Sequence, residues 1–279
     1  NYMDILYIKK EIESNYPFKI ISIEKVKNSY RIKTDDEEYG IKVIKYQFPH
    51  FYFIFSAINH LKQRGFNKIP EIINTKENLG YIKLGSSYAY LNKWIDCRNC
   101  NYKNSGELKI AAQKLGELHK CSEGFTISNI MRPRIGWFSW IKVFETRCDE
   151  ILDFKKRIYQ KAYKSEFDEV YLRAIDEELE RGKKAIEELK VNNYIGIMEN
   201  EVLKRGFCHH DYANHNVLID KNGELNIIDF DYCLLDTHIH DLASLLIRCM
   251  KDGNWSNDKA QLVLNSYSKT HSLYEEELK

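Results

Sequence analysis

Three residues with the chemistry of phosphoryl transfer lie between Gly206 and Asp231. Asp211 and Asn216 are five positions apart, and Asp229 comes shortly after them. A carboxylate and an amide oxygen are hard ligands that suit Mg²⁺, which neutralises the charge gathered by a transferred phosphoryl group. A separate carboxylate can orient an acceptor hydroxyl and take its proton. We therefore predict Asp211 as the catalytic base and Asn216 and Asp229 as the ligands of Mg²⁺.

The stretch between Asn216 and Asp229 predicts a β-hairpin. Residues 217–219 and 225–228 are apolar runs of strand length, and Asn222-Gly223 between them is a strong turn signal. The hairpin would carry the two proposed metal ligands at its entrance and exit. Alternatively, Asp211 and Asn216 only cap turns and Asp229 only ends a strand. The spacings together favour the catalytic interpretation, because the step from Asp211 to Asn216 matches the catalytic loop of protein kinases.

The first third of the chain supplies a candidate cation. Residues 1–95 are predicted to form a small β-rich nucleotide-binding lobe, with strands at 20–26, 30–34 and 39–44. Lys42 lies in the third strand, where a kinase fold places the lysine that contacts the nucleotide phosphates. The alternative is a lysine that simply faces solvent in an alternating strand. With the downstream motif present, we predict that Lys42 binds phosphate.

Two features expected of an active kinase are missing from this lobe. The turn Lys27-Asn28-Ser29 contains no glycine, so only the backbone amides of Asn28 and Ser29 are candidates for covering a phosphate. The following helix, predicted over 50–64, contains no Asp or Glu, whereas a protein kinase uses a glutamate there to hold the strand lysine. Lys42 must therefore be held otherwise, or it is not held in an active geometry.

The segment from Tyr88 to Ile95 is predicted to run from a strand into the link between the two lobes. In a two-lobed kinase the backbone of such a link reads adenine, and we assign this role to Lys93 and Ile95. The alternative is an ordinary core strand with a buried Trp94.

Residues 96–279 are predicted to form the larger, mostly helical lobe, with helices over 107–120, 140–163, 166–190, 241–250 and 258–268. We expect Asp241 to cap or orient the catalytic loop and His119 to pack or cap rather than to catalyse. The run Asp229-Phe230-Asp231 replaces the Asp-Phe-Gly of protein kinases, and neither a long activation segment nor Ala-Pro-Glu follows. These absences favour a small-molecule kinase. The chain stops abruptly after a Glu-rich end, which is compatible with a longer native protein.

The composition indicates which partners and which cellular compartment to expect. The net charge is +1, so no global field points to nucleic acid or to an anionic membrane, and no apolar run approaches a membrane span or a secretory signal. Seven scattered cysteines predict reduced thiols and an intracellular origin. Cys97 and Cys100 form a C-x-x-C pair, but a zinc site would need a second pair.

The catalytic stretch resembles the aminoglycoside-phosphotransferase and choline-kinase superfamily, and over most of its length the chain is similar to the CotS family of bacterial spore-coat kinase-like proteins. The residues that carry this resemblance are Tyr39-Gly40-Ile41-Lys42, His60-Leu61 with Gly65-Phe66, Ile69-Pro70 with Thr75, Tyr90-Leu91 with Trp94-Ile95, Ala112 to His119, Cys208-His209-His210-Asp211 with Asn216, and Asp229-Phe230-Asp231-Tyr232-Cys233 leading to Asp241-Leu242-Ala243.

The resemblance implies an α+β, two-lobed protein-kinase-like fold with ATP and Mg²⁺ between the lobes. It implies the same roles for Asp211, Asn216, Asp229 and Lys42, and a part in spore-coat assembly. Three interpretations follow: a kinase that phosphorylates a hydroxyl of a small molecule or carbohydrate, a coat or scaffold protein with little or no activity, and a protein kinase. The first is favoured, with the protein in the mother-cell cytoplasm or the spore coat and other coat proteins as further partners.

Overall fold

The computed structural model describes residues 4–26, 29–251, 253 and 255–278. Its first part is a β-rich lobe in which one helix precedes three strands and a second helix separates them from three more. In chain order these elements are α1 (Ile5–Asn15), β1 (Ile20–Val26), β2 (Ser29–Thr34), β3 (Glu38–Ile44), α2 (Phe48–Gln63), β4 (Ile72–Ile73), β5 (Ile82–Leu84) and β6 (Ser87–Lys93). The predicted strands are present, with their ends shifted by a few residues.

The strands of this lobe form one antiparallel sheet in the order β1-β2-β3-β6-β4, with β5 also paired to β6. Strand β3 therefore has neighbours on both sides. In its register, Lys42 lies opposite Ser29 of β2 and Tyr90 of β6. The proposed phosphate-binding lysine thus sits in the middle of the sheet and not at an exposed edge. Asn28, the other candidate in the preceding turn, lies outside the described residues.

The apolar side chains form two cores. In the first, Ile8 and Ile12 of α1 cover sheet residues that include Ile32, Ile41 and Leu91. Helix α2 instead belongs to the second core, which is mostly that of the helical lobe. Phe53 packs against Phe125 with 5.7 Å between ring centroids. The helix is therefore committed to packing, which explains why it is rich in phenylalanine and carries no acid.

The remainder of the chain is the helical lobe. Its elements are β7 (Cys97–Asn99), α3 (Ser105–Ser122), α4 (Trp140–Gln160), α5 (Glu166–Val191), α6 (Tyr194–Lys204), β8 (Val217–Asp220), β9 (Leu225–Ile227), α7 (His238–Met250) and α8 (Asn257–Tyr267). Short 3₁₀ turns cover Phe230–Tyr232 and Glu275–Leu278. The two-lobed α+β fold is thereby confirmed. The boundary between residues 95 and 96 stays a prediction.

Two elements were not predicted. Strand β7 is short and exposed, and it pairs with β8 to make a three-stranded sheet with β9. Helix α6 begins after Asn193 and ends before Arg205, and both of these flanking residues adopt left-handed backbone (φ 60° and 54°). Neither a three-residue polar strand nor a helix bounded by non-glycine residues gives a clear sequence signal. Among the described residues, no helix combines the length and the apolar character needed to cross a membrane.

Candidate active site

The loop that carries Asp211 is anchored from below by a buried carboxylate. Asp241, in the first turn of α7, accepts hydrogen bonds from the backbone amides of His209 (2.7 Å) and His210 (2.8 Å). His119 of α3 contacts the same carboxylate through Nε2 at 3.1 Å. Asp241 therefore makes the orienting contact that the sequence analysis expected, and His119 packs beneath the loop without reaching the reacting position.

Electrostatics reinforce this anchor. Asp241 has no solvent exposure. Burial alone would raise the pKa of its carboxyl group, but the hydrogen bond and charge of His119 and the backbone donors hold that pKa at about 2. The carboxylate is thus ionised at neutral pH and strengthens its bonds to the loop amides. The side chain of Asp241 thus holds the backbone of the loop.

Asp211 is held by two side chains. The Nδ2 atom of Asn216 donates to the backbone oxygen of Asp211 (2.9 Å) and to its Oδ2 (3.0 Å). The other carboxylate oxygen, Oδ1, accepts from Nη2 of Arg248 on α7 at 2.8 Å. Arg248 was not singled out from the sequence, because one arginine on an amphipathic helix has no motif that marks it.

The predicted hairpin brings Asn216 and Asp229 together. Strands β8 and β9 pair antiparallel with Val217 opposite Ile227, and the backbone amide of Ile228 donates to the carbonyl of Asn216 (3.0 Å). Asp229 follows directly, with left-handed backbone (φ 66°) that turns the chain back toward the loop. Gly223 in the turn also has a positive φ (80°), as an Asn-Gly hairpin turn requires.

Lys42 reaches this region from the β-rich lobe. Its Nζ atom lies 2.9 Å from Oδ1 of Asp229 and 3.0 Å from Oδ2 of Asp231. Lys42 is only 9% exposed, so the alternative of a lysine facing solvent is wrong. The two carboxylates hold it in place of the missing helix glutamate. Asp231 was not predicted in this role, although its position two residues after Asp229 was visible.

The three charges perturb one another. Burial opposes the charge of Lys42, but Asp231 and Asp229 raise the pKa of its ammonium group above the ordinary value. Burial raises the pKa of Asp231 to about 6, and Asp229 acts in the same direction while Lys42 opposes it. Two carboxylates this close need a cation between them, and Lys42 supplies it.

The donor atoms at this position also suit magnesium. Since Nδ2 of Asn216 faces two acceptors, its amide oxygen remains for another partner. Oδ1 of Asp231 is buried and has no hydrogen-bond partner among the described residues. Together with Asp229, these atoms form a compact set of hard oxygen donors with few protein ligands, which is what Mg²⁺ accepts.

The proposed adenine-reading segment lies at the end of β6. The backbone amide of Lys93 donates to the carbonyl of Glu71 (3.1 Å), and the carbonyl of Lys93 accepts from Nδ2 of Asn92 (3.2 Å), which leaves one lone pair of that carbonyl for a base. The backbone of Ile95 makes no hydrogen bond to any described residue. Trp94 is half-buried, with Arg31 5.0 Å from its ring centroid, so it is not the buried tryptophan of the alternative, and the adenine-binding role of this segment stays a prediction.

The Cys97 and Cys100 pair does not form a joint site. Cys97 is exposed at the start of β7, whereas Cys100, the residue after the strand, is buried. Burial raises the pKa of the Cys100 thiol to about 12, so at neutral pH it is a protonated core residue.

Comparison with known proteins places this geometry in a wider group. Over 97% of its length the chain is 25% identical to spore coat protein S of Bacillus subtilis (strain 168), of which the match covers 78%. This similarity confirms the resemblance to spore-coat kinase-like proteins that the sequence motifs indicated.

Solved structures show the same fold. An aminoglycoside phosphotransferase from Alicyclobacillus acidocaldarius subsp. acidocaldarius DSM 446 superposes with a TM-score of 0.86 at 20% identity, over 99% of this chain and 81% of that one. Spectinomycin phosphotransferase in complex with ADP and spectinomycin superposes with a TM-score of 0.62 at 17% identity, over 96% and 80%.

A family profile covers nearly the whole chain. Residues 21–269 match the phosphotransferase enzyme family, and this range includes Lys42, Asp211, Asn216 and Asp229. The chain therefore belongs to the phosphotransferase enzyme family.

Proposed function

We propose that this protein is a Mg·ATP-dependent phosphotransferase that phosphorylates a hydroxyl group of a small molecule or carbohydrate. The observation that carries the proposal is the contact of Lys42 with Asp229 and Asp231, next to a loop in which Asn216 bonds to Asp211. A lysine ammonium group, carboxylate and amide oxygens and a further carboxylate thus lie on adjoining segments, which supports the roles proposed for them. A protein with a purely structural role needs none of these groups.

On the nucleotide side, Asn216 and Asp229 would hold Mg²⁺, with Asp231 as a further oxygen donor. When bound, the metal supplies positive charge that neutralises the phosphates. Lys42 would contact the phosphates, the carbonyl of Lys93 and the amide of Ile95 would read adenine, and the backbone of Ser29 would cover the phosphates. Lys42 must then exchange a carboxylate contact for a phosphate contact.

On the acceptor side, Asp211 would accept the proton of the attacking hydroxyl. Each carboxylate oxygen can accept two hydrogen bonds, so the donors Asn216 and Arg248 leave room for the hydroxyl. A loose phosphoryl-transfer transition state needs mainly orientation of the hydroxyl. The anchored loop provides that orientation.

The similarity to spore coat protein S supports a role in formation of the spore coat. Under this proposal the protein acts in the mother-cell cytoplasm or within the coat, and other coat proteins are additional partners. The acceptor would then be a component of the coat or a precursor of such a component.

A scaffold with little activity is the second candidate, and one observation favours it. Helix α2 contains no acidic residue, so among the described residues Lys42 has the two site carboxylates as its charged partners. If these contacts do not open for nucleotide, the fold serves assembly alone.

Thermal unfolding with and without Mg·ATP separates the two candidates. Ligand at one hundred times its dissociation constant stabilises by about 2.7 kcal/mol, or roughly 5–10 °C for a chain of this size. We expect a magnesium-dependent shift in the wild type that Asp229→Asn loses. Asp153→Asn is the matched control, because Asp153 lies in an exposed surface pair with Arg157. No shift at millimolar Mg·ATP would support the scaffold.

A further inference from the structure

Arg248 places a permanent positive charge at the acceptor side of the site. Its Nε atom donates to Oγ of Ser244 (3.2 Å) and its Nη2 atom to Oδ1 of Asp211 (2.8 Å). A guanidinium has five N–H donors, so three remain without a partner among the described residues. The side chain is 34% exposed, and its partner Asp211 is 25% exposed. It can therefore bind a second acidic group beside the reacting position.

The carboxylates near Asp211 are already committed. Asp231 is bound to Lys42. Asp236 is 2% exposed, and its oxygens accept from the backbone amide of Thr237 (2.8 Å) and from Nδ1 of His240 (2.6 Å). Asp241 is fully buried under the loop. No free carboxylate among these residues is available to an ammonium group of an acceptor.

Two histidines lie beside the loop that carries Asp211. His240 lies edge-on to His210, with 4.6 Å between ring centroids. Burial opposes the charge of His240, but Asp236 raises the pKa of its imidazole above the ordinary value. Burial, together with the charges of His240 and Arg134, lowers the pKa of His210. His240 is paired with Asp236, so Arg248, with its unused N–H donors, is the group to which an acidic group of the acceptor would bind.

We propose that the acceptor is an anionic hydroxy compound, with a phosphate or carboxylate group close to the hydroxyl that is phosphorylated. This inference rests on the proposed function. Arg248 would bind the anion with its unused N–H donors, since a guanidinium fork matches the oxygens of both groups. An ammonium-bearing acceptor would lie beside the guanidinium and would find Asp231, Asp236 and Asp241 already bound to other groups.

The reaction balances without any further reactant. The hydroxyl oxygen of the acceptor forms a bond to the γ-phosphorus of ATP, and the bond from that phosphorus to the β,γ-bridging oxygen breaks. ADP leaves with the electron pair of that bond. The hydroxyl proton passes to Asp211 and then to solvent. Arg248 stays bound to Asp211 and to the anionic group of the acceptor.

The test is a calorimetric titration of the protein saturated with Mg·ADP. The probes are glycerol 3-phosphate, glycerate, glycerol and choline, so that phosphate, carboxylate, neutral and cationic compounds are compared. We expect at least one anionic probe to bind about tenfold or more tightly than glycerol and choline. Whichever of glycerol 3-phosphate and glycerate binds more tightly shows whether the site prefers a phosphate or a carboxylate group.

Variants locate the effect. Arg248→Met should weaken binding of the anionic probe by about tenfold or more, while Arg248→Lys keeps part of it. Arg147→Met should leave it unchanged, because Arg147 lies in an exposed pair with Glu150 on α4. If Arg248→Met does not fold, Arg248→Gln replaces it, and Arg248→Lys is informative in either case.

The two proposals fail separately. If Mg·ADP gives no thermal shift, the proposed function is lost and this inference with it. If Mg·ADP binds, three results overturn the inference alone: choline binds more tightly than both anions, no anionic probe binds at about 10 mM, or removal of Arg248 leaves the affinity for the anion unchanged.

Discussion

Two cation–carboxylate contacts lie on opposite sides of the proposed reacting position, and they differ in construction. Lys42 joins a strand of the β-rich lobe to Asp229 and Asp231, and its side chain is 11% exposed. Arg248 joins α7 to Asp211 within the helical lobe and is 34% exposed. The first contact connects residues 187 positions apart, and the second connects residues 37 positions apart.

The difference indicates which of the two contacts must rearrange when ligands bind. A lysine is a point charge, and in its present place it occupies oxygens that a metal would need. An arginine has donors to spare and can keep Asp211 while it binds another group. We therefore expect nucleotide binding to rearrange the Lys42 contact, while the loop that carries Asp211 stays in place on its Asp241 anchor.

The largest expected effect concerns the base. Asp211→Asn should lower the rate of phosphate transfer by about 10²–10⁴-fold, because the proton of the acceptor hydroxyl loses its carboxylate. The unfolding midpoint should change little, since Asn still bonds to Asn216. The measurement is ADP formation with the best acceptor, next to Asp153→Asn as control. A variant that transfers phosphate at the wild-type rate would show that Asp211 is not the base.

The anchor of the loop comes next. Asp241→Asn removes the charge that holds His209, His210 and His119, all at a buried position. We expect a loss of about 2–4 kcal/mol in the free energy of unfolding, measured by urea denaturation. A loss under about 0.5 kcal/mol would mean that the loop does not depend on this carboxylate. The loop that carries Asp211 would then be no more firmly held than the Lys42 contact.

A pair of substitutions compares the two cations directly. Lys42→Met leaves Asp229 and Asp231 facing each other, and we expect a loss of about 1–3 kcal/mol. Arg248→Met leaves only the half-exposed Asp211, with an expected loss under about 1 kcal/mol. Addition of Mg²⁺ alone should restore part of the stability of Lys42→Met, because the metal can replace the ammonium. Equal losses in both variants, with no effect of Mg²⁺, would contradict the comparison.

The smallest expected effect is a dependence of the folding stability on pH, caused by His238 at the start of α7. His238, the first residue of α7, lies 3.1 Å from Glu201 and 3.6 Å from Glu277. Burial opposes its charge, but these two carboxylates raise the pKa of His238 above the ordinary value near 6.5. Its stabilising charge is therefore fully present below pH 6.5 and is lost as the pH rises through the raised value.

The test compares the wild type with His238→Gln at several pH values. The advantage of the wild type in unfolding midpoint should be larger at pH 6 than at pH 9, by an amount on the order of 1 kcal/mol. Using the difference between the two proteins removes the contributions of titratable groups that do not interact with His238; His271, 4.3 Å away between ring centroids, is not one of them. An advantage that grows with pH would mean that His238 is neutral in the folded protein.

Much of the catalytic loop was predictable because its parts are local. Asn216 and Asp229 are joined by a hairpin whose turn, Asn222-Gly223, sets its own geometry. The roles of Lys93, Ile95 and Ser29 stay predictions, because backbone recognition leaves no side-chain signature. Strand β7 and helix α6 escaped prediction, since a short polar strand and a helix that ends without glycine have no periodic or capping signal.

The sequence by itself determined the phosphotransferase motif, the strand that carries Lys42 and the two-lobed fold, since each depends on residue types at short spacing. Only the tertiary structure decided the partners of the charged groups: Asp229 and Asp231 for Lys42, Arg248 for Asp211, and His119 for Asp241. The physical reason is that helical or strand periodicity specifies which face a side chain occupies. Which charge meets it there depends on how distant elements pack.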